Sequence, residues 1–309
     1  MEKIAIIGSG LIGRAWACVF ARAGHSVVLW DNVPAAMPSA VRLIGDSLAE
    51  MKRIGLIDDD PRAVHARVRT VATLAEAVRD ADYVQENTAE NLEVKRDVYR
   101  QMDAAAAAHC ILASSTSTIQ TSRFSDGLAG RHRCIVAHPV NPPHVIPVVE
   151  ISPAPWTSAD VVEKTRDLQQ RVGQVPILVK REVEGFILNR LQAALLQEAW
   201  RLVKEDYVTV EDLDKSIKDG LGLRWSFMGP FETIDLNAPG GIPDYAQRYG
   251  PKMHGMMADV NYAPWDDALI EKIDAERRQI MPRERHAERE AWRDQRLMAL
   301  IAHKRGQAK

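Results

Sequence analysis

The stretch "IAIIGSGLIGRAWACVFARAGHSVVLWD", from Ile4 to Asp31, constrains the fold more than any other part of the chain. Its opening run of apolar residues reads as a strand buried on both faces, the habit of parallel sheets. Gly8, Gly10 and Gly13 follow as G-x-G-x-x-G, directly before a helical pattern. The first glycine permits the tight turn, the second lets backbone approach a pyrophosphate, and the third lets helix and strand pack closely. The free N–H groups of the helix start then face the phosphates. Asp31 ends the next strand, where a carboxylate accepts hydrogen bonds from the adenine ribose. A 2′-phosphate is repelled there, and Asn32, Val33 and Pro34 supply no arginine, so the expected cofactor is NAD.

The first half repeats this alternation. Strands are expected at Lys3–Gly8, Ser26–Trp30, Arg69–Val71, Asp82–Gln85, Ile111–Ser114, Cys134–Ala137, Val148–Ile151 and Val175–Val179. Helices are expected at Ile12–Ala23, Ala35–Ile54, Leu74–Asp80, Leu92–Ala108 and Ser158–Val172. Such alternation predicts a doubly wound, Rossmann-type α/β domain. The texture changes near residues 181–186. Apolar residues recur at helical spacing from Phe186 to Val203, and "TVEDLDKSIKDG" has a Thr209 cap and a stop at Gly220. The last forty residues are charged and helical in pattern, with Trp265 and Trp292 as anchors. The expected organisation is an α/β NAD-binding domain over 1–184 and a mainly α-helical substrate and dimerisation domain over 185–309.

With 309 residues the chain has length for about two domains. A net charge of −2 gives no global field for nucleic acid or anionic membrane. No apolar run approaches the ~18 residues of a membrane span, and "MEKIAIIG" has no secretory pattern. Cys18, Cys110 and Cys134 are widely spaced and read as buried reduced thiols of a cytoplasmic protein; no metal site is expected.

The segment "AHPVNPPHVIPVVE", Ala137–Glu150, holds four prolines. It cannot be helix, and as strand it is fit only for an edge. His138 and Glu150 are twelve residues apart, and a strand, a proline-rich turn and a returning strand would bring them together. An imidazole takes and returns a proton near neutral pH, and a carboxylate on its other nitrogen fixes the tautomer. A packed histidine, or a metal site using His138, His144 and Glu150, is the alternative.

"ENTAENLEVK" (86–95), "ASSTSTIQ" (113–120), "AHPVNPP", Glu150, "EGFILNR" (184–190) and "GPFETID" (229–235) fall in one order. In that order the chain resembles the L-3-hydroxyacyl-CoA dehydrogenase superfamily over nearly its whole length. "GLGLRWSFMGPFETIDLNAPGG" and "REAWRDQRLMAL" are similar to its lambda-crystallin or L-gulonate 3-dehydrogenase branch. The resemblance implies that Asp31, Glu90 and Lys95 line the NAD site with the glycine loop, and that Leu11 and Ile12 lie against the pyrophosphate. It implies that Ser117 hydrogen-bonds the substrate oxygen, that His138 is the catalytic acid/base and that Glu150 orients it. Asn141 sits beside that pair, Asn189 completes the pocket, and the helical domain forms a homodimer. Taken alone, "SSTSTIQTS" could be a turn whose hydroxyls cap backbone groups.

The chain departs from the acyl-CoA enzymes in three places, one being a tail without their closing "GEGFY" pattern. They carry a short "GY" before "MGPFE", where this chain has Arg224 and Trp225. They also place a lysine seven residues after a serine in the second helix, whereas seven from Ser47 is Ile54. An arginine fork suits a free carboxylate. The expected activity is therefore NAD-dependent oxidation of a small L-3-hydroxy acid at C3, with L-gulonate as the named candidate and Arg224 on its carboxylate. L-3-hydroxyacyl-CoA dehydrogenase and a non-catalytic NAD-binding crystallin are the alternatives.

Overall fold

The computed structural model describes residues 1–258, 266–280 and 282–307; Trp265 lies outside them. The chain divides into two compact units, Met1–Arg190 with Ala291–Lys309, and Leu191–Glu290.

The first unit is built on one eight-stranded sheet: β1 (Lys3–Ile7), β2 (Ser26–Trp30), β3 (Val68–Thr70), β4 (Tyr83–Glu86), β5 (Ile111–Ser114), β6 (Cys134–Pro139), β7 (Val148–Pro153) and β8 (Val175–Leu178). Their order is β3-β2-β1-β4-β5-β6-β7-β8. Every neighbouring pair is parallel except β6 and β7. Crossovers are made by α1 (Leu11–Arg22), α2 (Met37–Arg53), α3 (Pro61–His65), α4 (Leu74–Val78), α5 (Leu92–Ala105), α6 (Thr121–Ser125) and α7 (Ala159–Arg171). β1 shows why consecutive apolar residues are needed. Successive side chains point to opposite faces, so Ile4 and Ile6 join Trp16, Phe20 and Ile44 on one side. Ala5 and Ile7 join Tyr99, Met102 and Phe124 on the other.

Several expected boundaries move. The helix read over Ala35–Ile54 is a 3-10 turn at Pro34–Ala36 followed by α2. The helix read to Ala108 stops at Ala105, because Ala106 turns extended to lead into β5. α3 is not among the expected helices, although Asp60 accepts the Arg62 amide ahead of Pro61, a readable start signal. β6 and β7 are interior strands, not edges as the prolines suggested. Pro139 and Pro153 are the last residues of their strands, and the other three prolines of the segment stand in the connection, where the ladder ends.

The second unit holds most of α8 (Leu188–Lys204), then α9 (Val210–Lys215), α10 (Gly222–Trp225), α11 (Pro230–Leu236), α12 (Gly241–Ala258) and α13 (Asp267–Ile280). Phe186 is not part of α8; it precedes it with a left-handed φ of 49°. Thr209 caps α9 by accepting the Asp212 amide. Gly220 does not stop the chain, because Ser216–Leu221 form a wider π turn that runs on into α10. Gly222 makes this possible: a Cβ there would lie 2.8 Å from the Ile217 carbonyl oxygen.

α14 (His286–Gln307) ends in the first unit. It is anchored there by buried Met298 with Leu297, Ile301 and Ala302, while Trp292 remains 42% exposed. Among the described residues no helix is long and apolar enough to cross a membrane.

Candidate active site

Ligands of open α/β sheets bind beyond the carboxyl ends of the strands, where the strand order reverses. Here that is the end of β1 beside β4, and the loops after β1, β2, β4, β5 and β6 carry the residues singled out from the sequence.

The glycine loop divides its tasks as its spacing implies. Gly8 has φ +95°, and a Cβ on it would meet the Asn87 carbonyl oxygen at 2.7 Å. A Cβ on Gly13 would stand 1.9 Å from the Gly8 carbonyl oxygen, so α1 can leave β1 at this angle only with glycine there. Gly10 is different: a Cβ would meet no protein atom within 4 Å. A side chain there would project into open space rather than against the protein. Gly10 caps α1 without a side-chain bond, and the first turn, Leu11 to Gly13, carries no acid. An amino-terminal helix end of this kind favours an anion. Asp31 braces the loop, its Oδ2 accepting the Ser9 amide at 2.6 Å and the Ser9 hydroxyl at 2.8 Å. These residues fit a bound dinucleotide: space over Gly10, helix amides for the pyrophosphate, and a carboxylate at the β2 end.

Glu90 and Lys95 are placed differently from one another. Glu90 Oε1 accepts the Thr116 hydroxyl at 2.6 Å and the amides of Ser117 and Thr118 at 3.0 Å each. Burial works to raise its pKa, but the Thr116 hydroxyl, the Lys95 charge and the Thr118 donors together hold it below the ordinary value. Glu90 thus fixes the loop that presents Ser117. Lys95 is 1% exposed, and its ammonium donates to both oxygens of fully buried Glu86 at 3.0 and 3.1 Å. Glu90 Oε2 is farther from it, at 3.8 Å. Glu86 also accepts the Ser114 hydroxyl at 2.6 Å. Glu86 and Ser9 are not among the residues expected at the site, although both lie inside its motifs.

His138 and Glu150 are partners in the antiparallel β6–β7 register. His138 Nδ1 lies 2.8 Å from Glu150 Oε2. The other carboxylate oxygen accepts the amides of Ile187 and Leu188 at 2.8 and 2.9 Å. Those amides are aimed by two left-handed residues, Gly185 (φ 75°) and Phe186 (φ 49°). For phenylalanine that conformation costs about 1–3 kcal/mol, offset by complete burial of the ring, which lies 5.4 Å from the His138 ring. Glu150 is fully buried. Burial alone would raise its pKa, but the His138 hydrogen bond and the Leu188 and Ile187 amides outweigh it and keep the carboxylate ionised. A carboxylate on Nδ1 requires the hydrogen there, so neutral His138 presents its lone pair on Nε2.

Asn189 donates from Nδ2 to the Ser117 carbonyl at 2.8 Å and ties the start of α8 to the β5 loop. Gln85, buried under the site, donates to Ser115 Oγ at 2.7 Å and to the Ala137 carbonyl at 3.1 Å, joining that loop to the backbone before His138. Asn141 is exposed on the proline corner, and Arg224 is exposed on α10 in the second unit. The structure therefore gathers the glycine loop, Glu90, Ser117, His138, Glu150 and Asn189 in the first unit.

Residues 3–183 match the NAD-binding domain of 3-hydroxyacyl-CoA dehydrogenase, and residues 185–280 match its C-terminal domain. Lambda-crystallin of Oryctolagus cuniculus is 39% identical over 307 residues, covering 98% of this chain and 96% of that protein. L-carnitine dehydrogenase of Pseudomonas putida is 33% identical over 302 residues, covering 97% and 93%. Among solved structures, 5-formyl-3-hydroxy-2-methylpyridine 4-carboxylic acid 5-dehydrogenase, an NAD+ dependent dismutase, superposes with a TM-score of 0.84 at 31% identity, covering 97% of each chain. With both domains matched and the glycine loop built for a dinucleotide, this chain belongs to the 3-hydroxyacyl-CoA dehydrogenase family of NAD-dependent oxidoreductases acting on CH–OH groups.

Proposed function

We propose that the protein oxidises the 3-hydroxyl of a small L-3-hydroxy acid, with L-gulonate as the named candidate. The carrying observation is the His138–Glu150 pair, with Glu150 locked by two backbone amides. Oxidising a secondary alcohol removes a proton from oxygen and a hydride from carbon. NAD, when bound, supplies the hydride acceptor. His138 takes the hydroxyl proton on Nε2 as general base, and Glu150 stabilises the imidazolium that results. Ser117 hydrogen-bonds the reacting oxygen, and Asn189 completes the pocket by holding the Ser117 backbone. Gly8, Gly10, Gly13, Leu11, Ile12 and Asp31 receive the dinucleotide. Glu90 closes that side by organising residues 116–118, and Lys95 supports it through Glu86 and Glu90.

A free acid is favoured over a thioester by two observations. Position 54 is isoleucine, not lysine, and Arg224 offers an exposed guanidinium in the second unit. Two relatives point the same way, since carnitine and the pyridine acid named above both carry carboxylates. Asn141 and Arg224 are proposed as substrate contacts. The proposal includes a cytoplasmic homodimer. Cys18, Cys110 and Cys134 are free and buried, which suits a reducing compartment. Phe227, Phe231, Leu236 and Met256 of the second unit are each at least 67% exposed, an apolar surface of the kind that subunits cover.

The test is NAD reduction with L-gulonate, L-carnitine, L-3-hydroxybutyrate and 3-hydroxybutyryl-CoA. Preference for a free acid is expected. Preference for the CoA ester would overturn the substrate class, and turnover of none would favour the non-catalytic reading.

A further inference from the structure

We propose that Gln85 is a positioning residue whose amide fixes the Ser117 loop and the backbone before His138 against the cofactor loop; this rests on the proton-transfer reading above. Gln85 stands on β4 and is completely buried. Alternate residues of a strand share a face, so its side chain lies with Tyr83 and Trp16. The His138 ring lies on the opposite face, against Phe186. Gln85 therefore acts through the strands rather than over them. β5 pairs with β6 as far as Ser114 and Val136. The Ala137 carbonyl stands one residue past that ladder, and Gln85 reaches it across the end of β5, donating from Nε2 at 3.1 Å. The second Nε2 hydrogen goes to Ser115 Oγ at 2.7 Å. One amide thus holds the residue before His138 and the residue two before Ser117.

The bonds around it have a fixed direction. A carbonyl only accepts, so the Ala137 oxygen decides which way the Gln85 amide faces. Oε1 then accepts the Tyr83 hydroxyl at 2.9 Å, and Tyr83 accepts Gln169 Nε2 at 3.2 Å. Ser115 Oγ also accepts Trp16 Nε1 at 2.9 Å and donates to Asn87 Oδ1 at 2.7 Å. With Gln85, those bonds use the full capacity of a hydroxyl. Trp16 belongs to α1, and the Asn87 carbonyl abuts Gly8, so Ser115 joins the cofactor side to the Ser117 loop.

This network is complete where it meets the loops and incomplete at its far end. There Gln169 Oε1 is buried without a hydrogen-bond partner among the described residues. An orphaned buried oxygen is destabilising, and apolar residues of like shape would serve the core as well. The polar character is matched to the loops the network reaches, not to the core it crosses. The cofactor loop has supports of its own: the Gly8 amide donates to the Trp30 carbonyl at 2.8 Å, and the Asn87 amide to the Ile7 carbonyl at 2.7 Å. Loss of Gln85 should therefore let Ser117 and His138 shift against a cofactor that stays in place. A misplacement of about 1 Å can cost about 10²-fold in rate.

The experiment follows the first turnover of NADH formation in full-length wild type, Gln85→Met, Ser115→Ala, Ser115→Thr and Gln169→Met. The substrate is whichever of L-gulonate, L-carnitine, L-3-hydroxybutyrate and 3-hydroxybutyryl-CoA the wild type oxidises fastest. Enzyme saturated with NAD is mixed with saturating substrate; the amplitude counts competent sites and the rate reports their chemistry. Gln85→Met and Ser115→Ala should slow the rate about 10- to 100-fold, with the amplitude per NADH-binding site kept and the KM for NAD within about twofold. Ser115→Thr, which retains the hydroxyl, should recover part of the rate, and Gln169→Met should match wild type. If Gln85→Met does not fold, Ser115→Ala, at a half-buried position, decides alone. Reduced amplitude at an unchanged rate would mark a packing role and overturn the proposal. So would equal slowing in Gln169→Met, or a raised KM for NAD. A wild type that oxidises none of the substrates sinks the activity, and the positioning is then read by NMR with 13C-labelled histidine. A His138 ring signal displaced in Gln85→Met and Ser115→Ala but not in Gln169→Met supports the proposal; one unmoved in all three overturns it.

Discussion

His138 and Glu150 face one another across the only antiparallel pairing of the described sheet, with Nδ1 2.8 Å from Oε2. The partner strand thus supplies the orienting group, and two amides at the start of α8 hold it. Replacing His138 with alanine should reduce kcat by about 10²- to 10⁴-fold, the usual contribution of a positioned general base. NADH binding, followed by fluorescence, should change little. An active His138→Ala enzyme would end the proton-transfer role.

Glu150 also links this site to stability. Its folded pKa lies below the ordinary value of 4.5. The ionised carboxylate therefore stabilises the fold fully above that pH, and the contribution fades as pH falls through the lower folded value. Thermal melts of wild type and Glu150→Gln from about pH 7 to about pH 3 should show a Tm gap that is widest near neutrality and narrows in acid. A gap independent of pH would show that shape, not charge, is at stake.

Gly10 and Gly13 should separate binding from folding. Alanine at Gly13 puts a methyl 1.9 Å from the Gly8 carbonyl oxygen, so backbone must move and Tm should fall by several degrees at least. Alanine at Gly10 meets no protein atom within 4 Å. Its Tm should stay near wild type while the KM for NAD rises. Both substitutions acting alike in both assays would contradict this division.

Lys95 and Glu86 form a buried pair, at 1% and 0% side-chain exposure. Removing one member leaves the other charged and unpaired, which costs about 3–5 kcal/mol. Urea unfolding of Lys95→Met should show such a loss, and Lys95→Met combined with Glu86→Gln should recover part of it. A stable Lys95→Met protein with a raised KM for NAD would place the ammonium on the cofactor instead.

Much of this arrangement could be read from the chain, for identifiable reasons. The glycine spacing is steric: a Cβ on Gly13 would clash with nearby Gly8, and one on Gly8 with Asn87 at the end of the neighbouring β4. The meeting of His138 and Glu150 is nearly local too, because prolines between them leave few ways for the chain to return. The contacts of Lys95 with Glu86 are less legible. A lysine pattern does not reveal whether the ammonium faces a cofactor or a carboxylate one layer below, since depth is set by packing. Glu90 receives its donors from residues 26 to 28 positions away, a pairing made by the β4–β5 register. The π turn at Ser216–Leu221 also escaped, because apolar spacing over so short a stretch does not separate a 3.6-residue turn from a wider one.

The return of α14 has a consequence for synthesis. The helical unit is an insertion between two parts of one α/β body, whose core includes Met298. On the ribosome, amino-terminal regions ordinarily fold first. Here the body that emerges first must wait through the whole helical insert for its last core residues. The order of translation and the order of completion are therefore reversed: the unit begun second can be finished first.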